Sequence, residues 1–521
     1  MAQEEESPFI RAYFYFKRGE TMLTVEEIKH FINEDNNSEQ KRLARQGQAY
    51  YEGEHDIKDY KLYYYNADGE LVEDKDRSNI KISHPFLTEL VDQATQYILS
   101  GKDGIIKSDI PELQTEMDAY FNENEDFIAE LSEVLTGCQA KGSDVMYAYR
   151  DENGKLTFQN ADYLGVIEVR AKDTDAKAEH IIYRYPDRVE KGTKIIWRIQ
   201  VWDAEQVAYY VQKDEGEIVE DESEPINPKL HTLFEKDGDE QIYGEGFGFI
   251  PFWRLDNNKK QTSCLKPIKA LIDDYDLMAS SLSNNLVDFD TPIHIIKGVE
   301  GEDMDKVQKN IKTKKLIGME STEAGAGLDI KTVDVPYQAR KEKLELDEKN
   351  IYRFGMGLNM AGLKDTTATT NIAIKAMYAL LDLKCSKLII KLKQFLRKII
   401  KVVLDEINKE NKTNYQLKDI YFKFEPEVMS NAQENAAIEL TEAQRRQAEI
   451  NILLGLATYL DNETLMQLIC EQLDIDYDDI KGKLPDPDEA ENAVKDAEST
   501  LNNVVVENEP KAEGNLAGAV G

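Results

Sequence analysis

The sequence predicts a mixed α+β protein, predominantly helical, and three observations lead there. First, the longest uninterrupted helical pattern runs from about Asn371 to Asn408. Leu381, Leu388, Leu392, Phe395, Ile399, Val403 and Ile407 recur there at three-, four- and seven-residue steps, which puts them on one stripe of a helix. No Gly or Pro interrupts it, and at 1.5 Å per residue it spans roughly 55 Å. Second, from Val145 the apolar period changes to two, the signature of half-buried strands. Third, two helical patterns between 264 and 357 flank a short insert.

Taken in order, Thr24 to Glu27 reads as a capping box, in which the Thr hydroxyl and a Glu three residues on satisfy free amides. A polar helix follows to about Tyr51, and then a loop that begins YYEGEHDI. His84-Pro85 precedes a helix whose apolar face is Leu87, Leu90, Val91, Ala94, Tyr97 and Ile98, with Gly101 as its expected C-terminal cap. Another helix is predicted from Pro111 to Lys141. Short strands follow in VMYAYRD, KLTFQ, YLGVIEVR, EHIIYRY, KIIWRIQVWD and QVAYYVQ, and Asn153-Gly154 between the first two is a hairpin signal. Residues 213–245 are acidic and turn-rich. GFGFIPFWRLDNN returns to strand, and CLKPIKALIDDYDLMASSLSNNLVDFD to a long helix ended by Pro292. IHIIKG is a strand, 301–335 alternates short elements, and a helix runs from about Tyr337 to Tyr352. Gly355, Gly357 and Gly362 close that helix, and a small polar loop from Ala361 to Thr370 leads into the longest helix. A strand (DIYFKFEP) and helices at 431–459 and Asn462–Gln472 follow. From Pro485 the Asp-, Glu-, Asn-, Ala- and Gly-rich tail reads as weakly ordered.

Bulk properties narrow the function. At 521 residues two to four domains are expected, and 41% hydrophobic content supports real cores. A net charge of −36 argues against binding to nucleic-acid backbones, although not against a surface along which DNA passes without sticking. Cys138, Cys264, Cys385 and Cys470 form no CxxC pair and are expected as free thiols in a reducing compartment. The acidic N-terminus lacks a signal-peptide core, and Lys384, Lys387 and Lys391 break the long helix, so no membrane span is expected.

No catalytic, cofactor or metal constellation stands out. The six histidines are scattered and form no HExxH. Gly244-Glu245-Gly246 opens no helix, there is no GxxxxGK[ST], and neither GxSxG nor SxxK occurs. Asp474, Asp476 and Asp478 alternate like a calcium loop, but Asp479 and Pro485 occupy the positions that need Gly and Glu. No enzyme activity and no cofactor are expected. Against the acidic background, the long helix is locally basic, with Lys375, Lys384, Lys387, Lys391, Lys393, Arg397, Lys398 and Lys401; Lys312, Lys314 and Lys315 form a second small cluster. A solvated face or salt bridges explain such clusters in most proteins. The functional alternative is a set of cations facing passing phosphate, and Lys375, Lys312, Lys314 and Lys315 are the candidates.

Several segments, in order, resemble the SPP1-like portal family of tailed phages: YYEGEHDI at 50–57, NIKISHPFLTELVDQATQYILSG at 79–101, GFGFIPFWRLDNN at 246–258, IKALIDDYDLMASSLSNNLVDFDTPIHIIKG at 268–298, NIAIKAMYALLDLKCSKL at 371–388 and EINILLGLATYLDNETL at 449–465. The resemblance spans about residues 20 to 485. One departure is Asp365-Thr366-Thr367-Ala368-Thr369-Thr370, where the family often has a Ser-Gly-rich stretch. The resemblance implies a portal fold: an α/β wing at 1–263, stem helices at 264–290 and 337–357 around a clip at 291–336, a tunnel loop at 358–370, a joining helix at 371–408 and a helical crown at 409–485, with the acidic tail at 486–521. It also implies a virion protein, assembled in the host cytoplasm as a homo-oligomeric ring of about twelve copies at one capsid vertex. Its partners would be terminase, a head-completion adaptor, scaffold and major capsid protein, with double-stranded DNA passing non-specifically. In that frame Leu363, Lys364, Asp365, Thr366, Thr367, Ala368 and Thr369 line the channel and Lys364 points into it.

Two other readings compete. One is a cytoplasmic helical scaffold or adaptor that uses the long helix for partner recognition. The other is a hydrolase whose acidic residues hide a metal pair.

Overall fold

The computed structural model describes residues 22–75, 77–101, 104–151, 154–171, 177–187, 195–235, 242–289, 293–297, 327–331, 336–359, 371–426, 432–456, 459–460 and 462–472. Most of the expected clip, the loop at 360–370, the aspartates at 474–478 and the tail lie outside them. Contacts divide the chain into a first unit (1–368 with 372–428) and a second (429–521 with 369–371).

The first unit opens with α1 (Val25–Asn37), where Thr24 and Glu27 form the predicted capping box. The single polar helix expected as far as Tyr51 is two. Ser38 takes extended backbone angles, ends α1, and accepts from Lys41 N to cap α2 (Glu39–Tyr51). A hairpin of β1 (Tyr63–Tyr65) and β2 (Leu71–Glu73) stands where a plain loop was expected. Helix α3 (Phe86–Leu99) buries all six predicted apolar residues. Gly101 is not its left-handed cap: Ser100 ends the helix in αR, and Gly101 sits against the backbone of Glu425.

After β3 (Ile106–Ser108) the helix predicted over Pro111–Lys141 breaks into α4 (Pro111–Met117), a π turn at Asp118–Asn122, and α5 (Glu125–Lys141). The break has a polar cause. Asn122 leaves the helical face to hydrogen-bond Ile105 N, Ile106 N and Ile106 O at 3.0, 3.1 and 2.7 Å, and Asn124 caps the new helix through Phe127 N.

Strands follow: β4 (Ser143–Arg150), β5 (Leu156–Ala161), β6 (Val166–Val169), β7 (His180–Pro186), β8 (Ile196–Trp202), β9 (Gln206–Lys213), β10 (Ile218–Glu220), β11 (Lys229–Leu230), β12 (Thr232–Glu235), β13 (Ile242–Glu245) and β14 (Phe252–Asp256). All six predicted strands between 145 and 212 are present. They build an antiparallel sheet ordered β14-β4-β5 and a meander ordered β10-β9-β8-β7-β6, with β11 added on β9. The acidic stretch from 213 to 245, read as turns, holds four of these short strands.

Helix α6 (Lys269–Phe289) leads to β15 (Ile293–Lys297), which pairs antiparallel with β16 (Gly327–Lys331) before α7 (Tyr337–Gly355) returns along α6. The longest helix is α8 (Asn371–Asn411), and β17 (Ile420–Phe422) then pairs with β3. Every residue of the predicted α8 stripe is buried, in one cluster with α3, α5, β4 and β5. Each such side chain removed from water contributes about 1.5–3 kcal/mol, so α8 is the central pillar of this unit's core. In the second unit, α9 (Ala432–Gly455) and α10 (Asn462–Gln472) pack on each other, with Leu465 and Cys470 buried.

Candidate functional site

The stretch that the sequence singles out, 358–370, is described only at its entry, Leu358 and Asn359, and Leu358 rests on α3. On the incoming side α7 ends at Gly355. The left-handed cap is Met356, with φ of 57°, and not either neighbouring glycine. Gly355 and Gly357 serve close approach instead. A Cβ on them would lie 2.5 and 2.1 Å from the methyl groups of Leu90, so α3 can reach the chain only where side chains are absent. Gln93 then clamps Leu358 with two bonds, accepting from its N–H at 2.9 Å and donating to its carbonyl at 2.9 Å. Asn359 donates to Glu348 at 3.1 Å, and the Tyr352 hydroxyl donates to Glu89.

Well inside α8, from Asp382 to Cys385, the chain meets the same helix again. Lys384 donates to the Leu90 carbonyl at 2.9 Å, the Cys385 thiol lies 3.7 Å from the Ala94 carbonyl, and the Tyr97 hydroxyl reaches Asp382 at 3.2 Å. Burial pushes the Cys385 thiol up to about 12, so it stays protonated and acts as a packing group. One helix of fourteen residues therefore holds both Leu358, at the entry to the loop, and the turn of α8 from Asp382 to Cys385.

The basic residues of α8 divide by environment. Lys384 is bound to backbone as described. Lys393 and Arg397 lie over the rings of Phe424 and Phe422 at 5.4 and 5.8 Å, and Lys409 pairs with Glu245 at 3.2 Å. Lys375, Lys387, Lys398 and Lys401 are exposed. Of the candidate DNA-facing cations, Lys375 is thus on the surface. Lys312, Lys314, Lys315 and the loop residues Leu363 to Thr369 lie outside the described residues.

Sequence reasoning missed the platform. Leu90 was assigned to a generic apolar face, and Gln93 and Glu89 were not singled out. It also missed a second device beside the platform. Segment 78–84 runs antiparallel along α6 in extended form. Its alternate amides donate to side chains spaced four apart: Ser78 N to Asp288 at 3.2 Å, Ile80 N to Asn284 at 2.6 Å, Ile82 N to Ser280 at 3.0 Å and His84 N to Asp276 at 3.0 Å. Two extended residues advance about 6.6 Å and four helical residues about 6.0 Å, so the two repeats keep step. The signal was present as Asp276, Ser280, Asn284 and Asp288, a small polar residue at every fourth position of one helix. Asp276 is fully buried and also meets His55 Nδ1 at 2.6 Å and His84 Nδ1 at 2.8 Å. Burial pushes its carboxyl up, but the bonds from the two histidines outweigh this and hold it below the ordinary aspartate range.

A cavity of about 350 Å³ is lined by Tyr147, Arg150, Trp202, Tyr209, Lys229 and His231. Its cations are engaged, Arg150 with Glu406 at 2.6 and 2.9 Å and Lys229 with Glu224 at 2.8 Å. Burial pushes His231 down to about 4, where it accepts from Phe247 N as a neutral ring. Among the described residues no group of acidic, His or Cys side chains could hold a metal, and no helix is long and apolar enough to cross a membrane.

Residues 29–474 match the family described as "Phage portal protein, SPP1 Gp6-like". The chain is 26% identical over 376 residues to the portal protein of Bacillus phage SPP1, covering 70% of this chain and 71% of that one. It is 27% identical over 426 residues to the portal protein of Clostridium phage phiCD119, covering 80% and 89%. A solved chain from the "Neck of native GTA particle computed with C12 symmetry" aligns with 74% of this chain and 89% of its own length at 14% identity and a TM-score of 0.35, too weak a likeness to carry any argument. The chain belongs to the phage portal protein family, and its function is that of a phage portal. Membership places it among structural assembly proteins.

Proposed function

We propose that this portal protein assembles as a closed homo-oligomeric ring of about twelve copies at one capsid vertex. Double-stranded DNA is packaged, retained and ejected through its axis. The observation that carries this reading is the family match over residues 29–474. In the proposal, 1–263 form the wing, 264–290 and 337–357 the stem helices, 291–336 the clip, 358–370 the tunnel loop and 409–485 the crown. The paired α6 and α7, with a strand pair between them, suit a hairpin that lines a tube when repeated around an axis. A net charge of −36 weakens non-specific phosphate binding and lets DNA slide, while Lys364 and the exposed Lys375 limit the repulsion.

Terminase, a head-completion adaptor, scaffold and major capsid protein are the proposed partners. The ring has no catalytic role of its own in this reading; assembly proceeds in the host cytoplasm and the product resides in the virion. The alternative of a scaffold recognising partners through α8 loses its basis, because the stripe it would use is buried in the chain's own core.

Native mass spectrometry and electron microscopy of the purified protein test the ring. A closed oligomer near twelve copies is expected, and a stable monomer or dimer at micromolar concentration in several salts would overturn it. Replacing residues 363–369 by a short Gly-Ser segment is expected to leave the ring intact while impairing packaged length or DNA retention.

A further inference from the structure

The hairpin of β1 and β2 leaves Tyr63, Tyr64, Tyr65, Leu71 and Val72 each more than a third exposed, Tyr65 most of all at 73%. Its register pairs Tyr65 with Leu71 and Tyr64 with Val72, so these pairs lie on opposite faces of the ribbon and both faces are open. A two-stranded ribbon is at best marginally stable alone in water, and a contiguous exposed apolar patch marks a contact surface. The base of the hairpin is fixed. Asn79 and Lys81 donate to the carbonyls of Tyr60 and Lys58 at 3.3 and 2.5 Å, and the same segment is tied to Asn284 and Asp288. The hairpin therefore stands on the side of α6 that carries Asn284 and Asp288. A second uncovered patch lies at the same level on the other side. At 3.6 residues per turn, Leu286 points about half a turn away from Asn284 and Asp288. It is half exposed, as are Val287 beside it and Tyr337 at the start of α7. Helix α7 runs back along α6 with Lys343 bonded to Asp274, and Tyr337 precedes Lys343 by less than two turns, which sets it beside the second half of α6. Charge differs between the patches as well. The hairpin turn exposes Asp68 and Glu70, whereas the first two turns of α7 carry Arg340 and Lys341 against Glu342, with Lys343 already paired.

We propose that the hairpin is a clasp between copies of this chain, in which its Tyr65 and Leu71 face packs on Leu286, Val287 and Tyr337 of the next copy. This contact rests on the reading of the protein as a ring, and it adds which surfaces close that ring. The physical case is symmetry. Copies related by rotation about one axis meet through two different patches, each copy giving one and receiving the other. Rotation leaves every residue at its own level along the axis. In the proposed ring α6 and α7 line the tube, so two patches that meet must share a level of these helices and lie on opposite sides. The hairpin and the Leu286 patch meet both conditions. Two hairpins facing each other would instead set the acidic turns of both copies together. At a net charge of −36 per chain, copies repel at long range, so their contact has to bury apolar area and bring opposite charges together locally. Tyrosine and leucine supply the area, and the acidic turn lies toward Arg340 and Lys341 of the next copy.

The test uses the full-length protein. Tyr65→Cys and Leu286→Cys are made separately and together, and a short bismaleimide is added to the purified assemblies. Neither single variant should cross-link beyond the wild-type background set by the half-buried Cys264. The double variant should give a ladder of covalent multimers, and a co-assembled mixture of the two single variants should stop at dimers. Absence of the ladder overturns the inference. The second variant is Tyr65→Asp/Leu71→Lys, in which an opposite-charge cross-strand pair keeps the hairpin matched. Its circular dichroism should be unchanged, while closed rings at micromolar concentration, counted by native mass spectrometry, fall about tenfold or more. Rings as abundant as in the wild type overturn the inference, and if such rings then fail to join capsids, the hairpin belongs to a contact with a capsid-shell partner. A wild-type chain that forms no closed ring fails the ring reading itself; the clasp then stands only if Tyr65→Cys and Leu286→Cys still cross-link between copies, and is overturned if they do not.

Discussion

Two long helices, α6 and α8, are held in opposite ways. Helix α8 is fixed by an apolar stripe, from Leu381 to Ile407, sunk in the largest core cluster. Helix α6 buries Ile272 beside Leu265 and Ile268 near its start, and beyond that the face it turns to segment 78–84 is polar, with Asp276, Ser280, Asn284 and Asp288 receiving that segment's amides. Burial supplies more energy per residue but specifies position loosely; a hydrogen-bond ladder supplies little and specifies register. One helix is therefore a pillar, and the other is set in register by the segment tied to it.

Removing mass from the pillar is expected to have the largest effect. Leu392 is fully buried, and Leu392→Ala should cost about 3–4 kcal/mol, read as a fall in the denaturation midpoint without change of slope.

Asp276→Asn attacks the ladder at its strongest rung. An amide cannot accept from His55, His84 Nδ1 and His84 N as a charged carboxylate does, and a loss of about 2–3 kcal/mol is expected. The pH dependence sharpens the assignment. A carboxyl held below its ordinary value of 3.8 adds stability that is complete above that value and is lost as pH falls through the folded-state value. The stability gap between wild type and Asp276→Asn should therefore be flat from about pH 5 upward and close only on further acidification. A gap that still changed with pH above that range would mean that the Asp276 carboxyl does not carry the effect.

The two helices also differ in legibility. The α8 stripe could be read because apolar residues at helical spacing have one meaning, and all seven residues named in advance are buried. The ladder on α6 has a periodicity too, but a small polar residue at every fourth position also describes an ordinary wet helix face. Only the facing segment, about two hundred residues away in sequence, distinguishes the cases. The splits at Ser38 and Asn122 escaped for a related reason: a polar side chain competing for backbone bonds leaves the apolar period undisturbed. At the end of α7, where glycines are expected to close the helix, Met356 takes the left-handed angle, and Gly355 and Gly357 instead make room for Leu90.

That last correction predicts a smaller, specific effect. Gly357→Ala forces a methyl into Leu90 and should cost about 1–2 kcal/mol by overpacking. Leu90→Val in the same chain should recover part of it, because space and not backbone angle is limiting. If the pair were simply additive, a dihedral requirement at 357 would be the better account.

The smallest expected effects lie along the ladder itself, and their order distinguishes it from the pillar. Ser280 is buried, and Ser280→Ala leaves the Ile82 amide without its acceptor in a half-buried setting, for which about 1 kcal/mol is expected. Asn284 holds an amide belonging to an exposed residue, Ile80 at 42% accessibility, and water can replace it, so Asn284→Ala should cost about 0.5 kcal/mol or less. The costs should thus fall from Asp276 through Ser280 to Asn284 as segment 78–84 leaves the core. Alanine substitutions at Leu388, Leu392, Ile399 and Val403 along α8 should show no such gradient, since all four are buried to within a few per cent. Equal costs at Ser280 and Asn284 would mean that water does not reach the outer rung and that another surface covers this end of α6. Equilibrium unfolding of the single variants measures the slope of the series directly.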